Sequence, residues 1–328
     1  MLQEAFSYEL QSRLSYDSQL CLAIAINHNN QQVIASEYTF IKLFQFKDGV
    51  LRLLKTVKNS GDIVTLNYFK KRSHFISGSY DSQLTIWSTN IQTSKYLVKL
   101  SGCSDNINCL VIHPSEDLII CGSNCIQFWS QDSEFAQHQQ WVQFQNIENQ
   151  IDRCFGLSIN QNGNELVSCG SSNQILVMRG STKQLWKIIQ AISVENLGFR
   201  LTYISDRVFS FQPEKSNCLE IYSFNSLLGQ YVKYNDIQVK LSEDYCYEFF
   251  PSVYIPSKKI ILSKNGRSIH IIKVFTQSEQ QDVMQFKLQQ SICFGTSSIF
   301  GTMSDNGEYL ITWEYDIGQI QIRKYLAA

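Results

Sequence analysis

The chain has 328 residues, 44% of them hydrophobic and 12% aromatic, with a formal net charge of −1. That is apolar material enough for a sizeable core, and too little net charge for a disordered chain. The charge balance also lacks the basic excess with which nucleic-acid binders displace counterions; the one basic run, Lys70-Lys-Arg72, falls in a predicted hairpin turn.

The chain opens with Met1-Leu-Gln-Glu-Ala-Phe, which has neither the basic region nor the apolar core of a secretory leader. A patterned segment follows, Ala5-Phe-Ser-Tyr-Glu-Leu10. From Cys21 one arrangement recurs: an apolar strand, a polar turn, an apolar strand ending in Ser or Gly, a second turn, and an alternating strand ending in a bulky residue. Seven units fit it: Cys21–Phe46, Ile63–Ser88, Ile107–Ser130, Cys154–Arg179, Gly198–Phe224, Cys246–Phe275 and Ser297–Tyr325. Their starts lie roughly 40–50 residues apart, the period of propeller blades. Most are followed by a fourth, half-exposed strand: Leu51–Val57, Tyr96–Leu100, Trp141–Ile147, Gln184–Ile189, Tyr231–Leu241 and Val283–Leu288. The sequence ends soon after the third strand of the seventh unit, at Arg323-Lys-Tyr-Leu-Ala-Ala328, so that blade is expected to lack an outer strand. Residues 5–10 are predicted to supply it and close a ring, which removes the sheet edges that invite aggregation. The fifth and sixth units are the least regular, and rings of six or eight units are the alternatives. No stretch sustains a capped helical pattern, and Pro114, Pro251 and Pro256 sit at or near predicted strand ends, where a missing amide donor costs little.

The second unit carries the clearest motif, Phe75-Ile-Ser-Gly-Ser-Tyr-Asp-Ser-Gln-Leu-Thr-Ile-Trp-Ser88. It resembles one repeat of the WD-repeat β-propeller family. The resemblance implies an all-β fold over residues 1–328 as a single domain: a seven-bladed β-propeller of four-stranded antiparallel blades. It also implies that Ser77, Asp81 and Trp87 form a structural hydrogen-bond relay tying the turn to the inner strands. The His of the family's relay is missing before the second unit, which reads Asn59-Ser-Gly-Asp62, and before the third, which reads Gly102-Cys103. With relays this degraded, stability is predicted to rest on apolar packing between neighbouring blades.

Catalytic signatures are absent: there is no phosphate-binding Gly-rich loop, no nucleophile elbow and no His-Glu-x-x-His. The five histidines are dispersed. The ten cysteines lie mostly inside apolar strands; Cys121 with Cys125, and Cys103 with Cys109, have no matching second pair for a metal. They read as small buried hydrophobes in a reducing compartment. No apolar stretch approaches the ~20 residues that span a bilayer. The reading is a cytoplasmic or nuclear protein, not an enzyme, with no cofactor and no metal.

In the family, one face collects the loops between second and third strands and those entering the inner strands, and partners often dock there. By that resemblance Tyr80 and Tyr315, each preceding a turn Asp, reach this face, as do Arg153, Arg200, Tyr245, Tyr247 and Arg267. Tyr and Arg dominate interface hot spots. The implied role is a non-catalytic scaffold, a monomeric propeller within a larger complex, binding proteins or peptides and neither nucleic acid nor membrane. A substrate-recognition subunit of a ubiquitin ligase, and an enzyme or small-ligand binder at the channel mouth, are the alternatives.

Overall fold

Short runs of Val, Ile, Leu, Phe and Tyr, cut by Asn, Asp, Gly and Ser, favour strands, because branched and aromatic side chains pack well on a pleated surface. The computed structural model describes residues 5–16, 20–93, 95–102, 105–131, 141–148, 153–241, 244–276 and 284–327, and their regular structure is all strand.

The first strand, β1 (Phe6–Ser15), stands apart from the blade that follows it. Blade 1 holds β2 (Ile24–Ile26), β3 (Gln32–Glu37), β4 (Phe40–Lys47) and β5 (Val50–Lys58). Blade 2 holds β6 (Ile63–Tyr68), β7 (His74–Ser79), β8 (Gln83–Ser88) and β9 (Tyr96–Ser101). Blade 3 holds β10 (Cys109–Ile112), β11 (Leu118–Gly122), β12 (Ile126–Gln131) and β13 (Trp141–Ile147). Blade 4 holds β14 (Cys154–Ile159), β15 (Glu165–Gly170), β16 (Gln174–Arg179) and β17 (Lys187–Ser193). Blade 5 holds β18 (Gly198–Ser205), β19 (Val208–Pro213), β20 (Cys218–Asn225) and β21 (Gln230–Gln238). Blade 6 holds β22 (Val253–Ile255), β23 (Ile260–Asn265), β24 (Ser268–Thr276) and β25 (Met284–Cys293). Blade 7 holds β26 (Ile299–Met303), β27 (Tyr309–Glu314) and β28 (Gln319–Ala327), and takes β1 as its outer strand.

Seven four-stranded antiparallel sheets result, a β-propeller closed by the N-terminal strand. The inner strands stand side by side around a central channel with a cavity of about 420 Å³. None of the described residues forms a helix long and apolar enough to cross a membrane.

Two boundaries differ from the sequence reading. The fourth strand expected at Gln184–Ile189 is β17, shifted toward the C-terminus. Trp186 turns inward and stacks on Phe128 of blade 3 at 5.6 Å, so the strand starts after it. The sixth unit was expected to open at Cys246, but its inner strand is only Val253–Ile255, just after Pro251, and residues 244–252 form a loop. Cys103, His138 and Val283 lie outside the described residues.

Seven apolar clusters each join two consecutive blades. Ile34, Leu43, Phe75 and Trp87 join blades 1 and 2, while Phe300, Trp313, Val33 and Phe44 join blades 7 and 1. Each large side chain so buried contributes roughly 1.5–3 kcal/mol of transfer free energy. The core therefore lies between blades rather than within them.

A second device recurs at the rim. In every blade the ladder between third and outer strand slips by one residue, skipping Gln11, Leu54, Leu97, Phe144, Ile189, Tyr234 or Gln289. In several blades the side chain just after this bulge reaches the next blade. Gln145 accepts from the N–H of Trp186 and donates to its C=O, both at 2.7 Å. Gln190 clasps Tyr231 in the same way, both at 2.8 Å. Gln290 accepts from the N–H of Tyr8 at 2.8 Å and donates to its C=O at 3.3 Å. Ser12 donates to the C=O of Gly49 at 2.5 Å, and Lys55 donates to the C=O of Thr93. Val98 holds this place in blade 2 and instead packs against the apolar cluster shared by blades 2 and 3.

The clasp on β1 makes closure testable without deleting the strand. Gln290→Leu is expected to cost ~2 kcal/mol, because it leaves two backbone groups of Tyr8 without their partner. An unchanged urea midpoint would contradict the clasp. A pH test concerns His270, fully buried on β24 with Nδ1 2.9 Å from Ser291 Oγ. Burial, then the Lys240 charge, pushes its imidazole down to about 4. The unfolded chain takes up this proton near pH 6.5, so stability present above that pH is lost as pH falls, by about 3 kcal/mol at pH 4. In His270→Gln, melting curves between pH 7 and 4 should show a shallower fall than in the parent.

Candidate functional site

The motif residues of blade 2 come first, because they set the turn that carries Tyr80. Trp87 Nε1–H donates to Ser77 Oγ at 2.9 Å, and the Trp87 ring stacks on Phe75 at 6.2 Å. Asp81 accepts from Ser79 Oγ at 2.5 Å, so it ties its own turn and not Ser77. A Cβ on Gly61 would come within 2.5 Å of the Asp81 side chain, so the entering loop passes directly over the turn. Buried Asn59 accepts from Thr85 Oγ1 at 3.4 Å, just upstream of β6, where the sequence lacks a His. Trp129, at the equivalent bulge of blade 3, has no partner for its Nε1–H among the described residues.

Tyr80 follows the end of β7 and is 38% exposed. Its ring meets Phe249 at 6.0 Å, edge to face. Phe249 belongs to the loop before blade 6, and blades 2 and 6 are not neighbours, so this contact spans the mouth of the ring. The chain of rings continues: Phe249 to Phe300 at 6.5 Å, Phe300 to Tyr247 at 6.0 Å, and Tyr247 to Tyr245 at 5.2 Å. Tyr245 meets Phe199 at 6.1 Å, and Phe199 meets Phe155 at 5.0 Å. A branch runs from Phe300 to Trp313 at 6.1 Å and on to Tyr315 at 6.0 Å. The Arg153 guanidinium lies 5.5 Å from the Phe155 ring centroid. Tyr80, Arg153, Tyr245, Tyr247 and Tyr315 thus stand on one connected aromatic roof. Aromatic pairs of this geometry contribute roughly 0.5–1.5 kcal/mol beyond their buried area.

Arg200 is placed differently from the surface position expected of it. It is buried, and β18 is buried at every position from Gly198 to Ile204. Its Nε donates to the C=O of Phe250 at 2.8 Å, Nη1 to Cys246 Sγ at 3.1 Å, and Nη2 to the C=O of Tyr247. Arg200 therefore holds the 244–252 loop in place from below. Arg267 pairs with Asp244 at 2.6 Å at the surface, where such a bridge contributes about 0–1 kcal/mol.

Burial, then the nearby Glu248 carboxylate, pushes the Tyr80 phenol up to about 12, and the same two causes raise Tyr245. Both hydroxyls stay protonated near neutral pH and can donate. At the opposite end of β7, the basic run is held from blades 3 and 7: the backbone N–H groups of Lys70 and Lys71 donate to Glu116, and Lys70 Nζ lies 3.1 Å from Asp305. No group of three or more His, Cys, Asp or Glu side chains among the described residues is arranged to hold a metal ion.

The sequence reading missed the rings beneath the tyrosines: Phe155, Phe199, Phe249, Phe300 and Trp313. A signal existed. Phe155, Phe199 and Phe300 each stand second in an inner strand, in Cys154-Phe155-Gly156, Gly198-Phe199-Arg200 and Ile299-Phe300-Gly301.

Among known families, the one described as WD domain, G-beta repeat matches residues 94–130. That stretch is the third unit with the strand before it, not the second unit, whose turn and tryptophan carried the resemblance. No curated protein matches the chain. Seven four-stranded blades closed by an N-terminal strand, together with one repeat that matches that family's model, give the chain the fold of a seven-bladed β-propeller and support the WD-repeat family.

Proposed function

We propose that this chain is a non-catalytic scaffold that docks protein or peptide partners on its aromatic roof. WD-repeat propellers are generally interaction scaffolds. The observation that carries the reading for this chain is the connected set of rings across the channel mouth, from which Tyr80, Tyr245, Tyr247 and Tyr315 emerge exposed. Their hydroxyls supply hydrogen bonds and their rings supply contact area at low entropic cost. The rings beneath keep them in place before a partner arrives, which limits the ordering cost of binding.

On this reading the chain acts as one interaction domain and a single propeller within a larger complex. The net charge of −1 and the ion pair of Lys70 with Asp305 argue against nucleic acid as the partner. The mostly buried cysteines fit a reducing compartment, and we place the protein in the cytoplasm.

Affinity capture with Tyr245→Ala/Tyr315→Ala tests the surface, with Tyr234→Ala on the outer strand of blade 5 as the control. Hot-spot tyrosines contribute ~2 kcal/mol each, so the double variant should bind its partners at least ~30-fold more weakly while the control binds normally. Equal capture by all three proteins would contradict the proposal.

A further inference from the structure

Beneath the roof lies a group that the scaffold reading does not use. Cys246 Sγ receives three N–H donors: Arg200 Nη1 at 3.1 Å, the Gly266 backbone N–H at 3.2 Å and Lys264 Nζ at 3.4 Å. Arg200 and Lys264 are both buried, and neither takes part in an ion pair with a carboxylate among the described residues. The other donors of Arg200 go to the carbonyls of Phe250 and Tyr247. Buried cations need a counter-charge, and a neutral thiol is only a weak acceptor. The atom on which all three donors converge is the sulfur.

We propose that Cys246 is held as a thiolate, the buried counter-ion of Arg200 and Lys264, and that it is an oxidation site for small hydroperoxides. Its surroundings separate it from the other buried cysteines. Burial alone raises a thiol, as it does for Cys21, pushed up to about 12, and for Cys169. At Cys246 burial acts in the same direction, but Arg200, Lys264 and the Gly266 N–H outweigh it and pull the thiol below its ordinary value. Burial lowers Lys264 to about 8, with Cys246 opposing that shift. The remaining titratable groups acting on this cluster are Glu248 of the same loop, on Lys264, and Cys169 of β15, beside Arg200.

In the reaction the thiolate sulfur attacks one peroxide oxygen. An S–O bond forms and the O–O bond breaks. The sulfur takes the terminal hydroxyl and becomes a sulfenic acid, and the departing hydroxide, or alkoxide from an organic hydroperoxide, takes a proton from the Lys264 ammonium to leave as water or alcohol. The sulfur is oxidised, the peroxide reduced, and net charge is conserved. Cys246 lies between the exposed Tyr245 and Tyr247, and it packs with Phe155 and Phe199. Loss of its negative charge removes the ionic contacts of Arg200 and Lys264 to the 244–252 loop, leaving only the carbonyl bonds of Arg200, and loosens both tyrosines. The link from that loosening to partner binding rests on the scaffold reading; the thiolate itself does not.

The test uses the intact protein and no partner, so its failure and that of the scaffold reading are distinguishable. Iodoacetamide labelling is followed residue by residue by mass spectrometry. The rate at Cys246 should change less than about threefold between pH 6 and 7.5, while the cysteines of the urea-unfolded chain climb roughly tenfold per pH unit as free thiols do. Hydrogen peroxide followed by dimedone should place an adduct on Cys246. Lys264→Met should restore the steep pH dependence. An ordinary pH profile at Cys246, or peroxide adducts on Cys218 and Cys293 with none on Cys246, would overturn the proposal; both readings come from the unaltered protein.

Discussion

The pairing of β1 with β28 is the constraint on which the rest of the molecule depends. It joins the first strand to the last in register from Phe6 opposite Ala327 to Ser15 opposite Gln319, with one bulge. Without it, blade 7 would expose the inner ladder edge of β28, and the cluster of Phe6, Tyr8, Ile255 and Leu310 would lose one wall. Blades of this kind do not hold themselves together singly. Their apolar faces are completed by neighbours, so a gap at one seam is felt at both adjoining blades. The Gln290 clasp on Tyr8 repeats at the closing seam the device that Gln145 and Gln190 provide at interior seams. The seam formed by two distant ends of the chain is thus built like the seams between consecutive blades.

Closure also makes the roof. Seven inner strands ending around one mouth leave room for a loop to cross it, and Tyr245 to Ser252 do so because blade 6 begins late. Pro251 and the short β22 remove backbone pairing that would otherwise hold this segment in the sheet. The loop is instead held by side chains: Arg200 from below, Phe300 and Phe199 from the sides, Tyr80 from across the ring. A surface fixed in this way is open to change at a single buried contact, which is why the charge on Cys246 matters to it.

The repeats were legible in the sequence because strand periodicity and turn chemistry are local. Ser77, Trp87 and the orphan segment Ala5–Leu10 could be read without a structure, and the closing strand was found by noting that blade 7 was one strand short. Exposure was less legible. Arg200 reads as a surface residue by type, yet every position of β18 from Gly198 to Ile204 is buried, and only the packing of blade 6's loop against blade 5 makes a guanidinium at home there. The rim glutamines were invisible for a related reason. Gln145, Gln190 and Gln290 look like ordinary solvent-facing residues of half-exposed strands, and their function arises from a bulge that changes where they point. The shift of β17 has the same origin: Trp186 is claimed by Phe128 of the preceding blade, a contact 58 residues away in sequence, which strand periodicity does not encode.

Hydrogen exchange on the amides of β1 tests closure most directly. In a ring shut by this strand, the paired amides of Phe6–Leu14 should exchange as slowly as those of β27 and β28, through cooperative opening. Exchange of β1 amides orders of magnitude faster than their neighbours in blade 7 would mean that the strand is a loosely attached arm. The ring, its roof and the surface proposed for partners would then need a different foundation.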